Sequence, residues 1–220
     1  YEILRCLVGS EMCIRDSLVS VYIWSVYTEC LHGMPSKCPI RVAVPVNLRP
    51  YFNSITTKNF FVMVSAEFHP TKETYTFAEV AAIVKESLRS QINRENLEKL
   101  FSYNVSNEKL LIARVVPLFL KNLAMKYVYT TSALANTATI TNIGNISVTE
   151  EYRPYVEMFH AFLAMSKGQH LKGTICSYGD TLVFSFSYDL VDASVQRGFF
   201  RKIASDGIAV EIKSNGVNYE

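Results

Sequence analysis

The run Ile40 to Val46 (IRVAVPV) constrains this chain more than any other stretch. It is short, β-branched and apolar at most positions, the pattern of a strand with both faces covered. Polar groups appear abruptly at its C-terminal end, in Asn47-Leu48-Arg49-Pro50. A second strand is predicted at Phe60 to Phe68 (FFVMVSAEF), and the pattern then changes period. From Thr76 to Asn93, Phe77, Val80, Val84, Leu88 and Ile92 fall on one face of a helix, and Thr76 with Glu79 has the capping-box spacing.

The same alternation runs through the rest of the chain. Helices are predicted at Leu18 to Leu31, Glu95 to Tyr103, Lys109 to about Thr130 and Asp192 to Ser205. Strands are predicted at Thr137 to Ile143, Val156 to Ala164, Gly173 to Tyr178, Thr181 to Tyr188 and Ile208 to Ile212, with Gly179-Asp180 as a hairpin turn. There is no internal repeat and no linker after Pro39, so the expectation is one α+β unit, a mixed α/β sandwich. With 220 residues, 49% of them hydrophobic, the chain can bury a sizeable core, and disorder is excluded.

Charge and cysteine usage remove several function classes. Lys plus Arg is 22 against 20 for Asp plus Glu, a balance that gives no footprint for nucleic acid or an anionic membrane. The most apolar stretch, Lys109 to Tyr129, is broken by Arg114, Pro117 and Lys121, so a buried helix is expected there and no membrane span. Cys6, Cys13, Cys30, Cys38 and Cys176 form no CxxC pair or even framework. They read as reduced thiols of a cytoplasmic protein.

The opening residues stand apart. The segment CLVGSEMCIRDS, Cys6 to Ser17, resembles translated sequencing-adapter read-through. On that reading residues 1–17 belong to no fold, the domain comprises residues 18–220, and the protein continues upstream.

No residue announces itself as a catalyst. His32, His69, His160 and His170 lie in no HExxH or Cys/His cluster, and there is no GxSxG and no phosphate loop. His69, with Glu73 nearby, is expected to be a solvated loop residue, and His160 a sheet residue with a satisfied ring. No metal is expected. Two polar clusters remain, both at strand ends: Asn47 with Arg49, and Thr139, Thr141, Asn142 and Gly144 in TATITNIGNI. Hydroxyl and amide groups there, beside a glycine that permits close approach, suit the holding of a carbonyl oxygen. The competing reading is loop capping, with the asparagines bonded to local backbone and Arg49 paired with an acid.

The string PIRVAVPVNLRPYF (Pro39 to Phe52) with TKNFF (Thr57 to Phe61) is similar to a segment of bacterial alcohol acetyltransferase-like proteins. These are relatives of chloramphenicol acetyltransferase and of peptide-synthetase condensation domains. The likeness continues through FSYNVSNEKLLIARVVPLFLKNLAMK, TNIGNISV and GTICSYGDTLVFSFS to FFRKIASDGIAVEI. It implies a fold of two similar halves about a tunnel, of which this chain resembles the second. Half of such a fold exposes apolar surface that its partner should cover.

The resemblance also implies a reaction. In that family the histidine of an HxxxDG motif acts as general base on an alcohol or amine, which attacks the thioester of an acyl-CoA. No His here is followed by Asp four residues later, so no catalytic residue carries over. Thr141 to Gly144 (TNIG) matches the family's Ser-Asn-Leu-Gly segment, and Asn47 and Arg49 match its VNLR motif. These five residues, Thr141, Asn142, Gly144, Asn47 and Arg49, are the expected substrate-binding set.

The implied function is the C-terminal half of an acyltransferase, inactive alone. Its implied partners are the missing N-terminal half, a small-molecule acceptor and acyl-CoA as co-substrate, with no bound cofactor. The alternatives are a non-catalytic condensation-like binding or scaffold module, and a condensation-type enzyme fed by a carrier protein.

Overall fold

The structure, a computed structural model, describes residues 11–109, 116–166 and 168–215. Helix α1 (Glu11–Glu29) leads to strand β1 (Ile40–Asn47) and its antiparallel neighbour β2 (Phe61–Phe68). Helices α2 (Phe77–Gln91), α3 (Arg94–Lys109) and α4 (Leu118–Leu134) follow. Strand β3 (Ala138–Asn145), the hairpin β4 (Leu171–Tyr178) and β5 (Thr181–Tyr188), and helix α5 (Ser194–Ser205) complete the chain. The five strands form one mixed sheet in the order β2-β1-β3-β4-β5, with β1, β3 and β4 parallel. The α+β class is as the sequence predicts.

Strand periodicity assigns the two faces of the sheet. Val42, Val44 and Val46 of β1, Val62 and Val64 of β2, Ile140 and Ile175 lie in one buried cluster with Tyr22, Val84, Leu88 and Phe199 of helices α1, α2 and α5. Helices therefore cover one face. Gly173 sits on it because nothing larger fits: a Cβ there would stand 2.7 Å from Cζ of Phe184 and 3.1 Å from Cγ1 of Ile140. Phe184 cannot retreat, since its ring centroid lies 4.4 Å from that of Phe199 and 4.7 Å from that of Phe186.

The opposite face carries Arg41, Pro45 and Asn47 of β1, Phe61 and Met63 of β2, Thr139 and Thr141 of β3, and Lys172, Thr174 and Cys176 of β4. No helix covers it among the described residues. Instead a strap, residues 156–166, crosses the β4 side, tied by the Cys176 thiol donating to the Phe159 carbonyl (3.3 Å) and by the Phe159–Tyr178 ring contact. The outer edge of β2 is blunted from α2: Gln91 accepts from Ser65 N–H (3.2 Å) and donates to its carbonyl (2.8 Å), and Ser87 Oγ accepts from Glu67 N–H (3.1 Å).

Helix α2 starts where the capping box places it. Thr76 Oγ1 accepts from Glu79 N–H (3.3 Å), and the Glu79 carboxylate accepts from Thr76 N–H (2.7 Å). Thr76→Ala is expected to lose about 1 kcal/mol in urea unfolding. The Lys72 ammonium beside it, with the Thr76 backbone and hydroxyl donors, holds the Glu79 carboxyl at about 2 against the usual 4.5. A depressed carboxylate stabilises the fold above the unfolded value, so this contribution is expected to fade only between pH 4.5 and about 2, and to be missing in Glu79→Gln.

Four segments differ from expectation. The helix expected from Leu18 to Leu31 spans Glu11–Glu29, with Arg15 donating to Asp16 Oδ1 (2.7 Å) in its first turns; residues 1–10 lie outside the described set. The sequence predicts a buried helix for the long apolar stretch. Its described part, α4, is exposed, with Leu118 at 71%, Phe119 at 70% and Tyr127 at 73%. Apolar residues all round a helix signal burial only if neighbours exist to bury it, and no described element covers this one. Residues 110–115 of the expected helix lie outside the described set. Segments 156–164 and 208–212 form neither helix nor strand and do not pair into the sheet. Their alternation predicts a strand, but a strand also needs a free edge beside it.

Candidate functional site

A cleft of about 430 Å³ opens on the helix-free face. Its floor is Pro45 and Asn47 of β1, Phe61 and Met63 of β2, and Thr139, Thr141 and Asn142 of β3. Arg49 and the loop residues Thr57 to Phe60 form one rim, and Leu163 of the strap bounds the cleft as well. The two polar clusters named from sequence, far apart along the chain, thus meet in one cavity because β1 and β3 are parallel neighbours, Ala43 pairing with Thr139. The volume is in the range of small-molecule sites.

Asn47, Arg49 and Asn142 each have a visible local duty. Asn47 Oδ1 accepts from the Arg49 backbone N–H (3.1 Å), an Asx turn that ends β1. The Arg49 guanidinium donates to the carbonyls of Thr56 (3.1 Å) and Lys58 (2.8 Å). It therefore shapes the rim through backbone, not through the acidic partner that the capping alternative predicts. Asn142 Oδ1 accepts from Gly144 N–H (2.9 Å) at a bulge, where pairing with β4 slips between Asn142 and Gly144. Gly144 adopts φ 83°, a conformation that the bulge demands and that favours glycine. It supports the site without lining it.

This geometry leaves donors over. The Asn142 oxygen is occupied by Gly144, so its amide N–H groups are the part free to meet a ligand. The Thr141 hydroxyl forms no hydrogen bond with another described residue, and Thr141 is only half-buried. A hydroxyl donor and an amide donor on consecutive residues at a cavity wall can hold one carbonyl oxygen as charge develops on it.

Among the described residues, no His, Asp or Glu lines this cleft. His69 is exposed and its Nε2 meets the Ser36 carbonyl at 3.1 Å, the solvated loop role expected of it. His160 is an exposed strap residue, not a sheet residue. His170 pairs with Asp189 Oδ1 at 3.0 Å, both groups exposed, beyond the N-terminal end of β4 and away from the cleft. Burial pushes the Cys176 thiol up, so it stays protonated. Among the described residues no group of three or more His, Cys, Asp or Glu side chains is gathered, and no helix is long and apolar enough to cross a membrane.

Sequence reading missed the apolar half of the cleft. Phe61 and Met63, 49% and 45% exposed, occupy the outward register of β2 and could have been found as large apolar residues on the wrong side of a strand. Leu163 carries no such signal, since its place depends on where the strap crosses.

No known protein family's sequence profile matches this chain, and no curated protein matches it. Solved structures do. One is a crystal structure of the epimerization domain from the third module of tyrocidine synthetase B, 10% identical, with a TM-score of 0.53. The match covers 92% of this chain and 43% of that one. Another is a structure describing condensation domain-mediated chain release from the enacyloxin polyketide synthase, 9% identical, with a TM-score of 0.42 over 93% of this chain and 39% of that one. The chain thus spans less than half the length of either, and it has the fold of part of the tyrocidine synthetase epimerization domain.

Proposed function

We propose that this chain is the C-terminal half of an acyltransferase and supplies one wall of its site. The whole protein, on this reading, transfers an acyl group, acetyl first among candidates, from the thioester of acyl-CoA to a small alcohol or amine in the cytoplasm. The observation that carries the proposal is the meeting of Asn47, Arg49, Thr141 and Asn142, the residues matched to the family's motifs, in one open cleft. The exposed apolar α4 and the 43% coverage of the structural neighbour support a partner half.

The chemistry divides between the halves. A hydroxyl is too weakly acidic to attack a thioester unaided, so a histidine from the other half removes its proton as the bond forms. The thioester carbonyl then becomes an oxyanion. Thr141 Oγ–H and Asn142 Nδ2–H donate to it, while Gly144 fixes the Asn142 amide by engaging its oxygen. Collapse expels the CoA thiolate. Asn47 and Arg49 hold the end of β1 and the rim, which positions the floor without touching the reacting atoms.

Sequencing the locus outward from the Leu18 codon tests this reading. An in-frame upstream half with an HxxxDG motif is expected, joined to residue 18 without the CLVGSEMCIRDS string. A start codon near Tyr1 with no such half would sink the enzyme and leave a binding module.

A further inference from the structure

Next to the cleft, beneath the strap, runs a row of polar side chains of which the acyl-transfer chemistry uses only Thr141. In the parallel and antiparallel registers of β3, β4 and β5, Lys172 stands between Thr139 and Ser187, and Thr174 between Thr141 and Ser185. All six lie on the helix-free face, and Thr139 and Thr141 line the cleft itself. Lys172 is 7% exposed and Thr174 is 2% exposed.

Two groups in this row lack the partners that burial calls for. The Lys172 ammonium donates to the Ala164 carbonyl (2.7 Å) and to Ser166 Oγ, both neutral strap acceptors. No carboxylate lies within ion-pair distance of it among the described residues, and burial lowers its pKa from the ordinary lysine value. A buried charge is ordinarily matched by an opposite one. Next to it the Thr174 hydroxyl is buried with no hydrogen-bond partner. The cover is lightly held: no backbone–backbone hydrogen bond joins residues 157–165 to the strands, and the Lys172 and Cys176 contacts are side-chain ties.

We propose that this row is a carboxylate subsite opening from the cleft, with Lys172 as counter-ion and Thr174 as hydroxyl donor. A carboxylate entering past Thr139 and Thr141 takes over the places now filled by the Ala164 carbonyl and Ser166 hydroxyl, and the strap shifts to admit it. One ammonium with flanking hydroxyls suits a monoanion better than a phosphate dianion, which generally draws arginines or several cations. Joined to the acyl-transfer reading, on which this last step alone rests, the subsite makes the acceptor a hydroxy acid or an amino acid.

Saturation-transfer NMR on the acetate methyl signal, at fixed ionic strength, decides it without any turnover. The full chain is expected to give a saturable signal that falls at least five-fold in Lys172→Met. Thr174→Val leaves the Lys172 ties intact, so the strap stays held, and it should weaken acetate at least two-fold. Lys99→Met, on an exposed ion pair elsewhere, should leave the signal unchanged. Absence of a saturable signal in the parent chain would overturn the subsite. So would a signal indifferent to both Lys172→Met and Thr174→Val. Inorganic phosphate displacing acetate at equal concentration would overturn the choice of carboxylate. Acetate binding in a protein that transfers no acyl group would keep the subsite and refute only the function it was joined to.

Discussion

Phe199→Ala is expected to lose about 3–5 kcal/mol of stability, a large part of what a domain of this size possesses. Phe199 is fully buried, and it is the place where helix α5 meets the β4-β5 hairpin. Its ring packs on Phe184 at 4.4 Å, Phe186 at 5.2 Å and Phe200 at 5.3 Å between centroids. Removing it leaves a hole that these neighbours cannot fill, because Phe184 is already held over Gly173 with no room on that side. The cost is therefore lost transfer energy plus a cavity that stays open. Urea unfolding followed by far-UV circular dichroism measures it. A loss below about 1 kcal/mol would mean that α5 does not pack on the hairpin as described.

Thr141→Val in the protein carrying both halves is expected to lower kcat by about 10²–10³ while leaving KM within a few-fold. Valine keeps the shape and the β-branched fit to β3, so the strand and the cleft survive. What disappears is a cavity-lining hydroxyl that has no hydrogen-bond partner among the described residues. If the hydroxyl donates to the oxyanion, its loss is felt in the transition state far more than in the ground state, which is why kcat moves and KM does not. Thr141→Ser restores the donor and should recover most of the rate. A uniform rise in KM with kcat unchanged would place Thr141 in ordinary substrate binding instead.

Much of this architecture is legible in the residues themselves. The β1 strand declares itself through its β-branched run, α2 through Thr76, Glu79 and its apolar stripe, and the β4-β5 hairpin through Gly179-Asp180. These are local signals, and local physics decides them. The site is legible in pieces: Asn47 and Arg49 at one strand end, Thr141 and Asn142 at another. That the pieces meet depends on β1 and β3 being neighbours, a pairing across the whole of β2, α2, α3 and α4 that no local pattern encodes.

The misreadings have one cause. Segments 156–164 and 208–212 have strand composition, and α4 has the composition of a core helix, but pairing and burial belong to the neighbour as much as to the segment. Lys172 shows the same limit from the other side. Its row on the sheet face is visible only once β3, β4 and the strap are in place, since nothing in GTIC or its flanks marks a lysine as buried.

The most direct measurement is the release of CoA thiol from acetyl-CoA by the protein extended upstream to its N-terminal half, with alcohols and amines as acceptors. Acceptor-dependent release is expected, disappearing when the upstream histidine is replaced and falling with Thr141→Val. Equal release with or without Thr141→Val, or none from a correctly folded protein that contains HxxxDG, would contradict it.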